Sequence, residues 1–124
     1  MEQGYQAAFA KYAGREDISH QIMKMTEPRD MKHATKGLKA ENWYTSGEAI
    51  KTMKSLSVSK FEQCPKPKDV LASIRSDTIA EANANDKYWG TGLGRRASMK
   101  VVNGKFPGSN HMGKILKGIQ QQFK

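Results

Sequence analysis

The sequence predicts a mainly α-helical protein that folds as one compact domain with little strand. The chain has 124 residues, which is the usual size of a single domain. Apolar side chains recur at helical spacing along most of its length, and the chain has no internal repeat or heptad pattern. Many of its glycines lie in residues 90–109, which predicts an irregular loop ahead of the last helix.

Helical spacing predicts three helices in the first 37 residues. Thr26 is the predicted N-cap of the third helix, with Pro28 in its first turn. Glycine ends the first and third helices, because it adopts the left-handed conformation that closes a helix without strain. The predicted segments are helices over 2–13 and 16–25, a helix from Thr26 to Gly37, and a connector over 38–44 that carries Trp43.

The motif Thr45-Ser46-Gly47-Glu48 has the spacing of a capping box, in which Glu48 reaches back to the Thr45 amide. The helix that it opens is predicted to run to about Gln63, where a Cys-Pro-Lys-Pro-Lys run breaks it. The remaining predicted segments are a short helix over 69–75, a short extended piece over 78–82, and a last helix from about Asn110 with an apolar stripe of Met112, Ile115, Leu116, Ile119 and Phe123.

The charge of the chain predicts an anionic partner. Its 21 Lys or Arg against 12 Asp or Glu give a formal net charge of +9, which would attract nucleic acid, a phosphorylated small molecule or an acidic surface. No apolar run approaches the roughly 18 residues of a membrane span, so a membrane protein is excluded. The chain opens without a signal pattern, and its single cysteine, Cys64, makes no internal disulfide, which predicts a cytoplasmic protein.

Residues 81–92, EANANDKYWGTG, combine groups that suit a nucleotide or sugar ligand. Trp89 offers a flat face for stacking, and the carboxylate of Glu81 or Asp86 can orient a hydroxyl or activate water. The glycines let backbone amides approach a phosphate. In the alternative interpretation, which is the more frequent case, Trp89 lies in the core and Asp86 is a turn or cap residue.

Three further patterns are less specific. The histidines and Cys64 have no metal-ligand spacing, so we expect no metal site. The glycine run over 90–94 is neither a Walker loop nor a GxGxxG turn, and a flexible loop explains it as well. The sequence Arg-Arg-Ala-Ser over 95–98 matches a basophilic kinase site, but four-residue matches often arise by chance.

Five segments, in chain order, resemble motifs of the NADAR family, the YbiA-like N-glycosidases. EQGYQAAFAK at 2–11 resembles E-h-a-Y-Q-a, EPRDMKHATKG at 27–37 resembles t-P-x-x-A-K-x-x-G-R, and Trp43 falls where the family has a tryptophan. Residues 59–92 resemble the long motif that ends in D-x-x-W-G-x-G, and GSNHMGKILKGI at 108–119 resembles G-x-N-x-L-G-x-x-L-M-x-x-R. The resemblance covers nearly the whole chain.

This resemblance implies a YbiA-like fold, which is α+β in the full family, and hydrolysis of the N-glycosidic bond of a phosphorylated ribose compound. Two substrate classes are associated with the family: phosphoribosyl intermediates of riboflavin biosynthesis, and ADP-ribose-linked molecules that include ADP-ribosylated guanine in nucleic acid. Nucleic acid would then act as a carrier of the substrate. The resemblance implies that no metal or organic cofactor is needed. The absence of a long apolar run predicts no membrane partner, and the sequence leaves the oligomeric state open.

The resemblance also assigns site residues. Glu2 matches the glutamate of the first motif and Asp86 the aspartate of D-x-x-W-G, and both are predicted catalytic carboxylates, which suit the oxocarbenium-like state of ribose C–N cleavage. For Asn110, capping the last helix is the alternative. The predicted substrate-binding residues are Gln6, Trp43, Glu81, Trp89, Gly90 and Asn110, and the predicted phosphate-binding residues are Lys32, Arg95, Arg96, Lys100 and Lys105.

The chain departs from the family pattern at three places. The family's opening hairpin region, which carries S-N-F before the glutamate, has no counterpart ahead of Glu2. Residues 94–107 look like a basic, glycine-rich insertion, and the arginine of the last motif is absent. We therefore expect an N-terminally short NADAR-like N-glycosidase domain over residues 1–124. The alternative is a catalytically inactive module that binds ADP-ribose or nucleic acid.

Overall fold

The computed structural model describes residues 2–76 and 78–123, and within them it has seven helices and no strand. The prediction of a mainly helical chain is confirmed, whereas the extended piece predicted over 78–82 is not a strand. The helices are α1 Glu2–Tyr12, α2 Glu16–Ile22, α3 Pro28–Thr35, α4 Glu48–Gln63, α5 Pro65–Ser73, α6 Arg95–Met99 and α7 His111–Gln122.

The contacts of the chain group into two compact units. The first unit comprises Met1–Lys60 and the second Phe61–Lys124, so that the boundary falls in the last turn of α4. The prediction of one domain over residues 1–124 stays a prediction.

In the first unit, α1 packs against both α2 and α3. The core of this helix cluster is formed by Ala7, Ala10, Ile22 and Met31. Gln3 joins α1 to the end of α2, because its side-chain amide donates to the carbonyls of Ile22 at 3.0 Å and Met25 at 3.1 Å. These are carbonyls of the kind that the end of a helix leaves without an internal partner.

The helix caps differ from those predicted. The N-cap of α3 is Glu27 rather than Thr26. Glu48 is the first residue of α4, so it does not occupy the third position that a capping box requires. The Ser46 hydroxyl instead lies 3.4 Å from the Glu48 amide, while the Thr45 hydroxyl donates to Asn42. The predicted end of α4 at Gln63 is confirmed.

In the second unit, α5 packs against α7. α5 begins at Pro65, directly after Cys64 and earlier than predicted, because proline suits the first turn of a helix as well as it ends the previous one. The irregular stretch predicted over 90–109 contains the short helix α6, and α7 starts where predicted. Gln120, only 1% exposed, donates to the carbonyls of Leu71 and Ile74 and so closes the end of α5.

Candidate functional site

Polar side chains of α1 and α3 form a connected cluster in the first unit. Glu2 Oε1 accepts a hydrogen bond from Gln6 Nε2 at 3.0 Å, one helical turn away. Gln6 Oε1 accepts in turn from the Thr35 hydroxyl at 2.7 Å. Lys32 Nζ lies 3.9 Å from Glu2 Oε1, and the Lys32 and Glu2 side chains are 67% and 32% exposed. The structure thus brings two predicted site residues, Gln6 and Lys32, to the partly exposed carboxylate of a third, Glu2. We call the group of Glu2, Gln6, Lys32 and Thr35 the Glu2 cluster.

Trp43 lies in the core of the same unit. It is 2% exposed, and its indole N–H donates to the Tyr5 hydroxyl at 3.1 Å. The rings of Tyr5, Phe9 and Tyr12 surround it, with centroids 5.2 to 5.8 Å away. The predicted stacking of Trp43 on a substrate is therefore wrong, because these three rings cover the indole and leave no face open to a ligand. Trp43 instead supports α1, the helix that carries Glu2 and Gln6.

In the second unit, Asp86 organises a turn that presents two aromatic side chains. Its Oδ1 accepts hydrogen bonds from the amides of Tyr88 at 3.0 Å and Trp89 at 2.8 Å. This is the turn role that the sequence left open beside the catalytic one. Trp89 is only partly buried, and its ring lies edge-on to Tyr88 at 4.8 Å. The core alternative is therefore wrong for Trp89, and its substrate-binding role stays a prediction.

The start of α7 docks onto this turn through its backbone. Five consecutive amides, of residues 108–112, donate to the carbonyls of residues 87–91 at 2.7 to 3.2 Å. The amides of His111 and Met112 belong to the first turn of α7, and the carbonyls of Tyr88 and Trp89 satisfy them. The helix therefore needs no side-chain cap at these positions.

Asn110 clamps a different segment of the same unit. It is 5% exposed and has left-handed backbone angles. Its Oδ1 accepts from the Glu81 amide and its Nδ2 donates to the Ile79 carbonyl, both at 2.9 Å. Asn110 is the N-cap residue of α7, as the capping alternative predicts, but its side chain makes no capping hydrogen bond. The observed contacts of the Asn110 side chain support the backbone of this unit, and its substrate-binding role stays a prediction.

Glycines stand where backbone segments meet in this turn. A Cβ on Gly90 would lie 2.8 Å from the carbonyl oxygens of both Glu81 and Asp86, and one on Gly108 would lie 2.5 Å from the Gly90 carbonyl. A Cβ on Gly113 would collide with the Ile79 carbonyl. These distances are too short for real contacts, so each position requires glycine. The observed role of Gly90 is thus structural, while the Glu81 side chain is exposed to solvent.

His111 is a site residue that the sequence analysis did not single out. Its ring lies 4.5 Å from Tyr88 and 6.5 Å from Trp89, so the three rings form one aromatic cluster. Burial, and to a smaller extent the charge of Lys114, lowers the pKa of His111 below its usual value, which favours the neutral imidazole. The sequence gives no local signal for this cluster, because Tyr88 and Trp89 are far from His111 along the chain.

The predicted phosphate-binding residues of the second unit lie on and around α6. Arg95, Arg96, Lys100 and Lys105 are all exposed, and Arg95 lines a cavity of about 550 Å³. The hydroxyl of Ser98 lies 2.8 Å from that of Thr91 and is buried. The kinase-site interpretation of Arg-Arg-Ala-Ser therefore does not fit the folded chain.

Residues 2–76 and 78–123 contain no group of three or more His, Cys, Asp or Glu that could hold a metal ion. In this same part of the chain, no helix has the length and apolar character needed to cross a membrane.

A sequence profile of the NADAR domain matches residues 1–124. The chain belongs to the NADAR family. Among curated proteins, N-glycosidase R617 of Acanthamoeba polyphaga mimivirus is 36% identical over 63 residues, which are 51% of this chain and 37% of that protein. Protein irg-1 of Caenorhabditis elegans is 27% identical over 125 residues, which are 98% of this chain and 59% of that protein. The matches thus span less than two thirds of either relative, and no solved structure matches the chain.

The NADAR motifs of this chain therefore contribute in two ways. Glu2 and Gln6 of the first motif offer polar side chains beside Lys32. Asp86 and Asn110 of the later motifs form hydrogen bonds with the protein backbone. These bonds shape the surface that carries the rings of Tyr88, Trp89 and His111.

Proposed function

We propose that this NADAR protein is an N-glycosidase that hydrolyses the C–N bond between ribose and base in a phosphorylated ribose compound. The observation that carries the proposal is the Glu2 carboxylate, which Gln6 holds at Oε1 and which remains partly exposed. Family membership and the name of the mimivirus relative, N-glycosidase R617, support the reaction class. The substrate classes proposed are ADP-ribosylated guanine, free or in nucleic acid, and the phosphoribosyl intermediates of riboflavin biosynthesis.

The chemistry needs a fixed negative charge and a water molecule. As the C–N bond breaks, the ribose gains oxocarbenium character, and a carboxylate can stabilise this cation or take a proton from the attacking water. Glu2 has this role, and Gln6 fixes its orientation. The Lys32 ammonium is exposed and available to a substrate phosphate. In the second unit, considered by itself, Asp86 positions the partly buried Trp89 ring, which is suited to stacking on a base.

The test is hydrolysis of each substrate class, followed by mass spectrometry, with matched variants of Glu2. Glu2→Gln keeps an acceptor for Gln6 and removes the charge, so we expect the turnover rate to fall by about 100-fold or more while the melting temperature is unchanged. Glu41→Gln, a change at an exposed carboxylate of the same unit, is the control. Full activity of Glu2→Gln would refute the assignment, and a folded wild-type protein inactive on both classes would refute the reaction.

Asp86 can be tested in the same assay by two substitutions. Asp86→Asn retains an oxygen that accepts from the Tyr88 and Trp89 amides, whereas Asp86→Ala removes it. Because the observed contacts are those of a positioning residue, we expect Asn to keep activity within a few-fold and Ala to lose most of it. Equal loss in both variants would instead support the catalytic role that the sequence predicts.

A second candidate is a module that binds ADP-ribose or nucleic acid without turning it over. The observation that favours it is the charge of residues 87–124, which contain eight Lys or Arg and no Asp or Glu. In this case the affinity for an oligonucleotide falls steeply with added salt, because phosphate contacts release counterions. Retained binding in Glu2→Gln together with no turnover by the wild-type protein would support this candidate.

A further inference from the structure

A cavity of about 410 Å³ lies in the second unit beside α7. Its charged lining residues are Lys105, Lys114 and Lys117, and none of the described residues that line it is acidic. The side chains of Asn103 and Ser109 add neutral hydrogen-bonding groups. The cavity therefore offers positive charge and polar donors in a space large enough for a small anionic group.

The three lysines reach the cavity from two parts of the chain. Lys114 and Lys117 lie one turn apart on the same face of α7. Lys105 belongs to the loop between α6 and α7, and it follows Asn103 and Gly104, whose positive φ angles turn the backbone there. Of the three, only Lys105 is a phosphate-binding residue predicted from the sequence, since the spacing alone does not bring the loop and the helix together.

Lys117 is held in place by the protein. Its Nζ donates to the Ser76 carbonyl at 3.1 Å and to Gln120 Oε1 at 3.2 Å. Gln120 is itself buried and bonded to the end of α5. An ammonium group has three donors, so one remains for a ligand while two fix the nitrogen. A cation fixed in this way loses less conformational freedom on binding than an unrestrained surface lysine.

We propose that this cavity binds a phosphate group through Lys105, Lys114 and Lys117. Compact ammonium groups recognise phosphate as point charges and donate charge-assisted hydrogen bonds to its oxygens. The acid-free sequence of residues 87–124 adds to the favourable field around the cavity. The proposal does not rest on the N-glycosidase reaction, and the Glu2 cluster contributes no residue to the cavity.

Binding of sodium pyrophosphate to the full chain tests the proposal, by calorimetry at constant ionic strength with sodium chloride as the balancing salt. The double variant Lys105→Gln, Lys114→Gln is expected to bind about tenfold more weakly or worse, since each charge-assisted hydrogen bond contributes substantially. Lys51→Gln, Lys54→Gln removes the same charge from α4 and is the matched control, expected to change the affinity less than about threefold because neither lysine lines the cavity. Circular dichroism establishes that both variants fold.

A 5′-hydroxyl oligothymidylate, which carries only phosphodiesters, identifies the source of the phosphate. Binding of pyrophosphate alone, lost in the cavity variant, indicates a terminal phosphate. Binding of the oligonucleotide, lost in the same variant, indicates a nucleic-acid backbone. The proposal is overturned if the wild-type chain binds neither probe, or if the control weakens binding as much as the cavity variant, because net charge would then explain the affinity. The experiment measures binding and not turnover, so its result can be interpreted even if the protein has no N-glycosidase activity.

Discussion

The Glu2 cluster and the turn around Asp86 use their motif residues for different purposes. In the Glu2 cluster, the motif side chains bond one another and Thr35, and the carboxylate stays partly exposed. In the turn, Asp86 and Asn110 bond backbone groups, and the glycines leave room for close backbone approach. The first motif therefore leaves polar side chains partly exposed, while the later motifs shape a surface. If the proposed reaction holds, Glu2→Gln should lower activity without lowering stability, whereas substitutions in the turn should lower stability, and Asp86→Ala activity as well.

The largest expected effect is a difference in stability between alanine substitutions at the two glycines of α7, Gly113 and Gly118. In Gly113→Ala, the new methyl group meets the Ile79 carbonyl and the Asn110 side chain, so we expect a loss of about 3 kcal/mol or more in the free energy of unfolding. Gly118→Ala, with no atom near the added Cβ, should gain up to about 1 kcal/mol from helix propensity. Urea unfolding measures both. A mild effect of Gly113→Ala would contradict the shape-giving role of the turn.

A smaller effect is expected at the asparagines with left-handed backbone. Asn110→Ala and Asn103→Ala carry the same backbone penalty, because both residues have positive φ. Only Asn110→Ala also strips buried partners from the Glu81 amide and the Ile79 carbonyl, so it should cost about 2 kcal/mol more. Chemical unfolding at one pH compares the two variants. Equal costs would mean that the Asn110 clamp contributes nothing beyond its backbone.

The smallest expected effect is a pH dependence at His111. Because its pKa in the folded protein is lowered, the unfolded chain binds a proton more readily below the ordinary value near 6.5. Stability therefore falls as the pH decreases from about 7 towards 5, and His111→Gln should reduce this slope. His20→Gln, at an exposed position, is the control. An unchanged slope in His111→Gln would show that the aromatic cluster does not resist protonation.

Much of the helical architecture could be predicted from the sequence, but its boundaries less well. Apolar spacing predicted α1, α4 and α7, because helical periodicity is a local property of the chain. The predicted N-caps Thr26 and Thr45 are wrong. Several polar residues near each helix start can act as the cap, and tertiary packing selects among them. The sequence predicts a break at Pro65, because proline ends a helix, but proline serves equally well as the first residue of α5.

The candidate site was predictable where its contacts are local. Glu2 and Gln6 stand one turn apart, so their contact follows from helix geometry alone. The environments of the two tryptophans, in contrast, could not be predicted from local contacts. Trp43 is enclosed by rings of α1, while Trp89 lies on a turn next to His111 of α7, and both environments depend on residues far away in sequence. Nothing in the local pattern distinguishes an enclosed tryptophan from a partly exposed one.

By itself, the sequence determined the helical class, the net charge of +9 and membership of the NADAR family, because composition, periodicity and motif order need no coordinates. Only the tertiary structure decided what the motif residues do. In the folded chain, the side chains of Asp86 and Asn110 form hydrogen bonds with backbone groups. Folding also brings Lys105 to the same cavity as Lys114 and Lys117. The physical reason is that buried backbone groups must find partners, and the partners that they find are set by packing between segments distant in the chain.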